Sequence, residues 1–271
     1  MNNRKRSLLS APYIFWIIGF IILPLLTIVY YAFTATDGSF TLENVAAMLT
    51  DQYNLKALGL SVMLSALSTA ICLLLAYPLA VCLRNLRMKR KSMIVYLFIL
   101  PIWLNFMLQM VAISILIEDN GVMNMILETL FNTSVSIMST RTAIVVGMVY
   151  DYFPFMLLPI YNAISGIDKE LLDASADLGA NSLETFGRIT LPLSIKGVIS
   201  GVTMVFIPAI SDFAIAEMLG GGKVLLIGNV VELNFAKGYY NIGSGLAMVL
   251  MLFVLISMAL TERRSASGSE R

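Results

Sequence analysis

The chain carries six long apolar stretches, and this pattern constrains its fold more than any other feature of the sequence. A helix needs about 20 predominantly apolar residues to cross the hydrocarbon core of a bilayer. Stretches of that length cover residues 11–34, 57–83, 93–117, 142–164, 194–217 and 242–261. Hydrophobic residues make up 58% of the chain and charged residues 13%, against about 25% charged residues in soluble domains. The sequence therefore predicts an all-α integral membrane protein with six transmembrane helices.

The positions of Lys and Arg predict the orientation of these spans, because cytoplasmic loops carry an excess of both residues. With the N-terminus inside, the cytoplasmic segments are 1–10, 84–92, 165–193 and 262–271, and together with Lys196 they hold 14 of the 18 Lys and Arg. The opposite orientation would leave most of these cations outside. We therefore expect a cytoplasmic N-terminus and a cytoplasmic tail, with residues 265–271 disordered.

The composition excludes several kinds of chemistry. The chain has no His, so imidazole-based zinc sites and Ser/His or Cys/His catalysis are excluded. Its net charge is +1 without a basic domain, which argues against nucleic-acid binding. The glycine run at residues 220–222 lacks the first Gly and the final Ser or Thr of a phosphate-binding loop. We expect no catalytic residue, no metal and no cofactor in this chain.

The loop between the fourth and fifth spans, residues 168–192, has the pattern of an amphipathic helix pair. Apolar and small residues recur at helical spacing opposite charged ones. Gly179 is expected to end the first helix, Asn181 or Ser182 to cap the second, and Pro192 to close it before the fifth span. Two interpretations remain open, namely packing on the membrane surface and docking of a soluble partner.

The spacing within this loop resembles the "EAA" loop of permease subunits of ATP-binding-cassette (ABC) importers. The family pattern is Glu-Ala-Ala, three residues, Gly, nine residues, then Ile-x-Leu-Pro. This sequence has, at the same spacing, Asp173, Ala174, Ser175, Gly179, Ile189, Leu191 and Pro192. The two departures from the pattern, Asp173 and Ser175, keep charge or size. The resemblance implies a type I importer (MetI-like) permease fold, in which residues 168–192, called the coupling segment below, dock on a cytoplasmic ATPase.

An acid inside a span marks a candidate pathway, because ionisable residues are costly in the membrane. Asp151 lies near the middle of the fourth span, and ammonium groups favour both carboxylates and aromatic faces. The outer side carries ten acids, Asp151 included, against four bases, which suits a cationic substrate. The alternative for Asp151 is a hydrogen-bonded acid that holds the helices together. The candidate pathway residues are Asp151, Tyr150, Tyr152, Phe155, Trp103, Asn105, Asp212 and Glu217.

Three further segments, residues 152–161, 206–213 and 219–229, resemble the permease subunit of spermidine/putrescine importers. Membership of that family implies a bacterial inner-membrane location and polyamine as substrate. The implied partners are two copies of an ABC ATPase, a second related permease, an outer substrate-binding protein and the surrounding membrane lipid. Permeases for thiamine or ferric iron share parts of these motifs and stay as alternatives. An ion-coupled secondary transporter using Asp151 and a non-transporting scaffold are the other classes considered.

Overall fold

The computed structural model describes residues 12–85 and 91–267. The expected cytoplasmic N-terminus, residues 86–90 of the basic loop and residues 268–271 of the tail lie outside the described residues. The described chain is helical throughout, with one isolated β-bridge between Thr34 and Phe40. Its helices, numbered in order, are α1 Pro12–Ala32, α2 Glu43–Thr50, α3 Gln52–Asn85, α4 Lys91–Ile99, α5 Phe106–Ile117, α6 Val122–Phe131, α7 Arg141–Ser165, α8 Lys169–Asp177, α9 Ser182–Ser211, α10 Ala214–Gly220, α11 Ile227–Ala236 and α12 Tyr240–Ser267.

Six of the described helical segments are long and apolar enough to cross a membrane. These candidate spans are Pro12–Ala32, Gln52–Asn85, Phe106–Phe131, Arg141–Ser165, Ser182–Ser211 and Tyr240–Ala259. The predicted number of spans and the all-α class are therefore confirmed. α12 continues through Ser267, so the prediction of disorder from residue 265 was wrong for 265–267, where the helix of the last span extends beyond its apolar part.

The third predicted span, residues 93–117, is not one helix. α4 runs into a 3₁₀ turn, Leu100–Trp103, and Leu104 then adopts an extended conformation before α5 begins. Pro101 lies in this turn, and the Asn105 side chain caps α5 by accepting hydrogen bonds from the backbone N–H groups of Met107 (2.9 Å) and Leu108 (3.3 Å). The apolar stretch was located correctly. Asn105 within it, the N-cap residue that begins a new helix, was not recognised from the sequence.

The fifth predicted span, residues 194–217, differs at both ends. α9 begins earlier, at Ser182, and ends at Ser211, where Asp212 turns to an extended ψ of 128°. Pro192 does not close a helix as expected, because the π-helical turn Phe186–Thr190 precedes it. A widened turn moves aside the carbonyl that a proline ring would otherwise strike. The same arrangement occurs in α1, where the π-turn Ile18–Ile22 precedes Pro24.

The described residues divide into two compact units. The first comprises the described chain up to Ala57 together with Val230–Val254, and the second comprises Leu58–Asn229 with the residues from Leu255 onward. In the first unit, Asn44 on α2 donates hydrogen bonds to the carbonyls of Ala32 (3.3 Å) and Thr34 (3.0 Å) at the end of α1. These bonds satisfy carbonyls that the helix end leaves without partners.

The core of the second unit is the contact between α7 and α9. A Cβ on Gly197 would lie 2.6 Å from the carbonyl oxygen of Pro159, and a Cβ on Gly201 would lie 2.9 Å from the sulfur of Met156. Only glycine permits this approach of the two backbones, which is how small residues hold membrane helices together. Gly197 and Gly201 therefore serve the close packing of α7 and α9. α7 and α9 also position both parts of the candidate site.

Candidate functional site

The coupling segment folds as two helices joined at a glycine corner. Gly179 has a φ of +81°, and its N–H donates to the carbonyl of Ala176 (2.9 Å) while the N–H of Ala180 donates to that of Ser175 (3.1 Å). This pair of bonds is the Schellman motif that ends helices at a left-handed residue. The prediction that Gly179 ends the first helix is confirmed. Apart from its two neighbours in the chain, no described residue lies within 4 Å of a Cβ placed on Gly179, so the space beside this glycine is open.

The second helix of the corner begins at a capping box. Asn181 accepts a hydrogen bond from the N–H of Glu184, and Glu184 accepts one from the N–H of Asn181, both at 2.9 Å. Of the two caps considered, the structure selects Asn181. The buried hydroxyl of Ser175 lies 2.7 Å from that of Thr185, and this bond holds α8 against the start of α9. Ser175 thus replaces the second Ala of the family pattern with a residue that adds a hydrogen bond.

The corner presents apolar side chains and a concavity to its surroundings. Leu178 is 89% exposed and Leu183 is 81% exposed. A pocket of about 370 Å³ opens at the corner and is lined by Ser175, Leu178, Gly179, Ala180, Glu184, Arg188 and Ile189. Exposed leucines beside a rigid turn are typical of a surface that another protein covers.

At the far end of α9 the structure brings together three of the pathway candidates. The hydroxyl of Tyr152 on α7 donates a hydrogen bond of 2.6 Å to Oδ2 of Asp212. Oδ1 of Asp212 accepts from the N–H of Ile215 (2.9 Å) and thereby caps α10. Asp151 directly precedes Tyr152 on α7. We call Asp151, Tyr152 and Asp212 the acidic cluster.

The acidic cluster lies deep in the span, which corrects one sequence expectation. Tyr152 is eleven residues from the start of α7, a rise of about 16 Å at roughly 1.5 Å per residue. Because Asp212 bonds to Tyr152, it lies at about that depth, whereas the predicted span 194–217 would place it only five residues from the end of the helix. The physical reason is the break of the helix at Asp212.

Residues 212–229, called the return segment below, run along α7 toward its N-terminal end and then return to the end of α9. α10 packs its buried Ile215 and Leu219 against Gly147, and the carbonyl of Leu219 accepts from the N–H of Ser139 (3.0 Å). The chain then returns, since a Cβ on Gly228 would lie 2.6 Å from the carbonyl oxygen of Ser211. Both ends of the return segment therefore meet beside the acidic cluster.

Two side chains fix the inner end of the return segment. Asn229, buried, donates to the carbonyl of Phe213 (2.8 Å) and accepts from the N–H of Leu226 (3.1 Å). Ser61 on α3, also buried, accepts from the N–H of Ile227 (2.8 Å). The local signal for this role in the sequence is the position of Ser61 on a stripe of small polar residues with Ser65 and Ser68. Asn229 lay within a recognised motif but was given no role.

The other pathway candidates do not join this cluster. Trp103 is 86% exposed, and Asn105 is occupied as the cap of α5. Glu217 is exposed on the face of α10 opposite Ile215 and Leu219. Tyr150 is 41% exposed, whereas Phe155 is half-buried one turn below Asp151 on the same face of α7. The geometry concentrates the candidate site on Asp151, Tyr152 and Asp212, with Phe155 beside them.

Comparison of the sequence with known proteins gives consistent results. The family described as "Binding-protein-dependent transport system inner membrane component" matches residues 2–266. The chain is 33% identical to the spermidine/putrescine transport system permease protein PotB of Haemophilus influenzae over 269 residues, covering 94% of each chain. It is 36% identical to PotB of Escherichia coli K12 over 228 residues, covering 81% of this chain and 82% of that one.

Solved structures show the same fold. A chain of a bacterial ABC transporter that imports the acidic polysaccharide alginate superposes with a TM-score of 0.75 at 17% identity, covering 96% of both chains. A chain of the MetNI methionine ABC transporter in an inward-facing conformation superposes with a TM-score of 0.57 at 18% identity, covering 79% of this chain and 95% of that one. At these identities the likeness concerns the fold alone.

Proposed function

Because the chain belongs to the family of binding-protein-dependent transport system inner membrane components, we propose that it moves polyamines such as spermidine and putrescine inward. It is a permease subunit of an ABC importer of the inner membrane. It is not an enzyme, since ATP hydrolysis belongs to a separate subunit in this family. The proposal concerns the substrate, the pathway residues and the partners.

The observation that carries the substrate class is the acidic cluster. Within the described residues, neither Asp151 nor Asp212 has a Lys or Arg nitrogen within 4.0 Å. Negative charge deep in a span without a counter-ion is costly, and a bound cation lowers that cost. A polyamine offers several ammonium groups along one chain, so it suits two neighbouring carboxylates. Phe155 and Tyr152 add aromatic surface, which also favours ammonium groups.

The coupling segment and the acidic cluster lie at the two ends of one helix. α9 is 30 residues long, or about 45 Å at roughly 1.5 Å per residue. It starts at the glycine corner and ends one residue before Asp212. A displacement of the corner by an ATPase therefore reaches Asp212 directly, as in the rigid-body transitions of other switching proteins.

The partners follow from this arrangement. Two copies of a cytoplasmic ABC ATPase would drive the cycle, one of them seated on the exposed leucines of the corner. A second, related permease would complete the pathway, and an outer binding protein would deliver the polyamine. The relatives compared above bear the PotB name, and the proposed companions are the corresponding PotC-like and PotD-like proteins. The bias of Lys and Arg supports cytoplasmic N- and C-termini.

The test is uptake of labelled spermidine by the assembled importer in proteoliposomes. We expect uptake that requires ATP and continues after the proton gradient is collapsed, with competition by putrescine. Thiamine and ferric iron serve as control substrates. ATP-driven uptake of a control substrate without spermidine uptake would overturn the substrate assignment, and uptake driven by the gradient alone would favour the secondary transporter.

A further inference from the structure

The C-terminal end of α3 contacts the coupling segment and the residues that flank it on both sides. The hydroxyl of Tyr77 lies 2.7 Å from Oγ of Ser194, just after the π-turn of α9. Its ring meets that of Phe186 edge-on, with centroids 5.6 Å apart. Two helical turns further along α3, Nη2 of Arg84 donates a hydrogen bond of 2.6 Å to the carbonyl of Ile167. We call Tyr77 and Arg84 the brace.

The brace holds the coupling segment from both sides. Ile167 immediately precedes α8, and Ser194 follows the π-turn, so the two contacts flank the glycine corner. Ser194 is fully buried and also donates to the carbonyl of Leu191 (3.1 Å). Hydrogen bonds in such a site are costly to leave unmade, because the buried groups find no water to replace the lost partner.

α3 also contacts the return segment, through Ser61 near its N-terminal part. Ser61 accepts from the N–H of Ile227 and lies sixteen residues before Tyr77, a rise of about 24 Å at roughly 1.5 Å per residue. Two helices therefore connect the ATPase side to the acidic cluster. α9 ends at Asp212, and α3 supports the segment that returns to Asp212.

We propose that Tyr77 and Arg84 are positioning residues that make α3 and α9 move as one body when the ATPase displaces the coupling segment. This inference rests on the proposed function both for the ATPase seated on the corner and for the identity of the substrate. Without the brace, α9 shifts while α3 and the return segment lag, so the acidic cluster does not open in step with ATP hydrolysis. The brace thus sets how much substrate is moved per ATP.

The direct test replaces Tyr77 with Phe, which keeps the contact with Phe186 and removes only the hydroxyl. In the reconstituted complex we expect ATP hydrolysis to persist while spermidine moved per ATP falls roughly fivefold, the size of a weak coupling energy. Ser194→Ala should give the same loss, and the double variant should be no worse than either single one. Tyr161→Phe is the matched control, since the hydroxyl of Tyr161 has no hydrogen-bond partner among the described residues. An unchanged ratio in Tyr77→Phe, or additive losses in the double variant, would overturn the brace.

A second measurement does not depend on the substrate. Spin labels are placed at Lys169 on α8 and at the exposed Met63 on α3, in a chain whose Cys72 and Cys82 are replaced by Ala. With ATP trapped by vanadate we expect the distance between the labels to stay constant in the wild type and to change in Tyr77→Phe. A distance that changes equally in both proteins would overturn the brace while leaving the polyamine proposal untouched.

Discussion

At the scale of single residues, the acidic cluster shows two carboxylates with different duties. Asp212 has both oxygens engaged, one by Tyr152 and one by the N–H of Ile215. The Asp151 side chain has no hydrogen bond and no ion pair among the described residues. Asp212 therefore has a structural role, whereas we propose that Asp151 is the carboxylate that meets a ligand. The alternative is that Asp151 holds the helices together, but the described residues show no hydrogen bond or ion pair of its side chain that would do so.

Replacing Asp151 with Asn removes the charge at nearly constant volume. We expect spermidine uptake to fall on the order of tenfold, because a charge-assisted hydrogen bond contributes about 1.5–3 kcal/mol. Protein abundance in the membrane should stay at the wild-type level. Uptake and abundance are measured together by transport assay and immunoblot, with the exposed Glu217→Gln as control, which should change neither. If spermidine uptake and protein abundance fell in parallel, Asp151 would have a structural role and the pathway proposal for it would be refuted.

At the scale of elements, the sequence revealed the helices better than their interruptions. Hydrophobicity located six spans, and the family spacing located the coupling segment, because apolar runs and capping residues are local signals. The break at Asp212 was missed although the bond that caps α10, from the N–H of Ile215 to Oδ1 of Asp212, is local. The second bond of this carboxylate, from the hydroxyl of Tyr152 sixty residues away, is a tertiary contact. The role of Ser61 depends on Ile227, 166 residues away. No local pattern encodes such pairings.

Substitutions at two glycines can distinguish an effect on ATPase docking from an effect of backbone strain. Gly179 and Gly222 both have positive φ, +81° and +71°, and a Cβ on either meets nothing within 4 Å. Asp at either position therefore costs a similar strain of about 1–2 kcal/mol. We expect Gly179→Asp to abolish transport and to reduce co-purification of the ATPase, because the new side chain occupies the docking surface. Gly222→Asp, on the outer turn, should leave co-purification unchanged, and an equal loss in both variants would assign the effect to strain.

At the scale of the whole molecule, the described residues expose many apolar side chains. The features to which we assign a function are confined to a few positions. The exposed leucines of the corner, the acidic cluster and the brace all lie in the second compact unit. That unit contains α7 and α9, whose close backbone approach resists separate movement. Under the proposed function, this chain supplies one wall of a pathway and the surface on which an ATPase docks, so we expect its activity to depend on companion subunits.

The orientation of this assembly is the last property to test, and it decides whether the seat and the ATPase share a compartment. Single cysteines at Lys169 on α8 and at Lys223 in the return segment, in a chain whose Cys72 and Cys82 are replaced by Ala, report opposite sides of the membrane. With cytoplasmic termini, a membrane-impermeant maleimide should label position 223 in intact spheroplasts and position 169 only after permeabilisation. The reverse pattern would place the coupling segment outside, away from any source of ATP, and would refute its assignment as the ATPase seat. Labelling of Lys237→Cys, in the outer loop before α12, should follow position 223, because both positions fall on the side that the Lys and Arg bias leaves poor in cations.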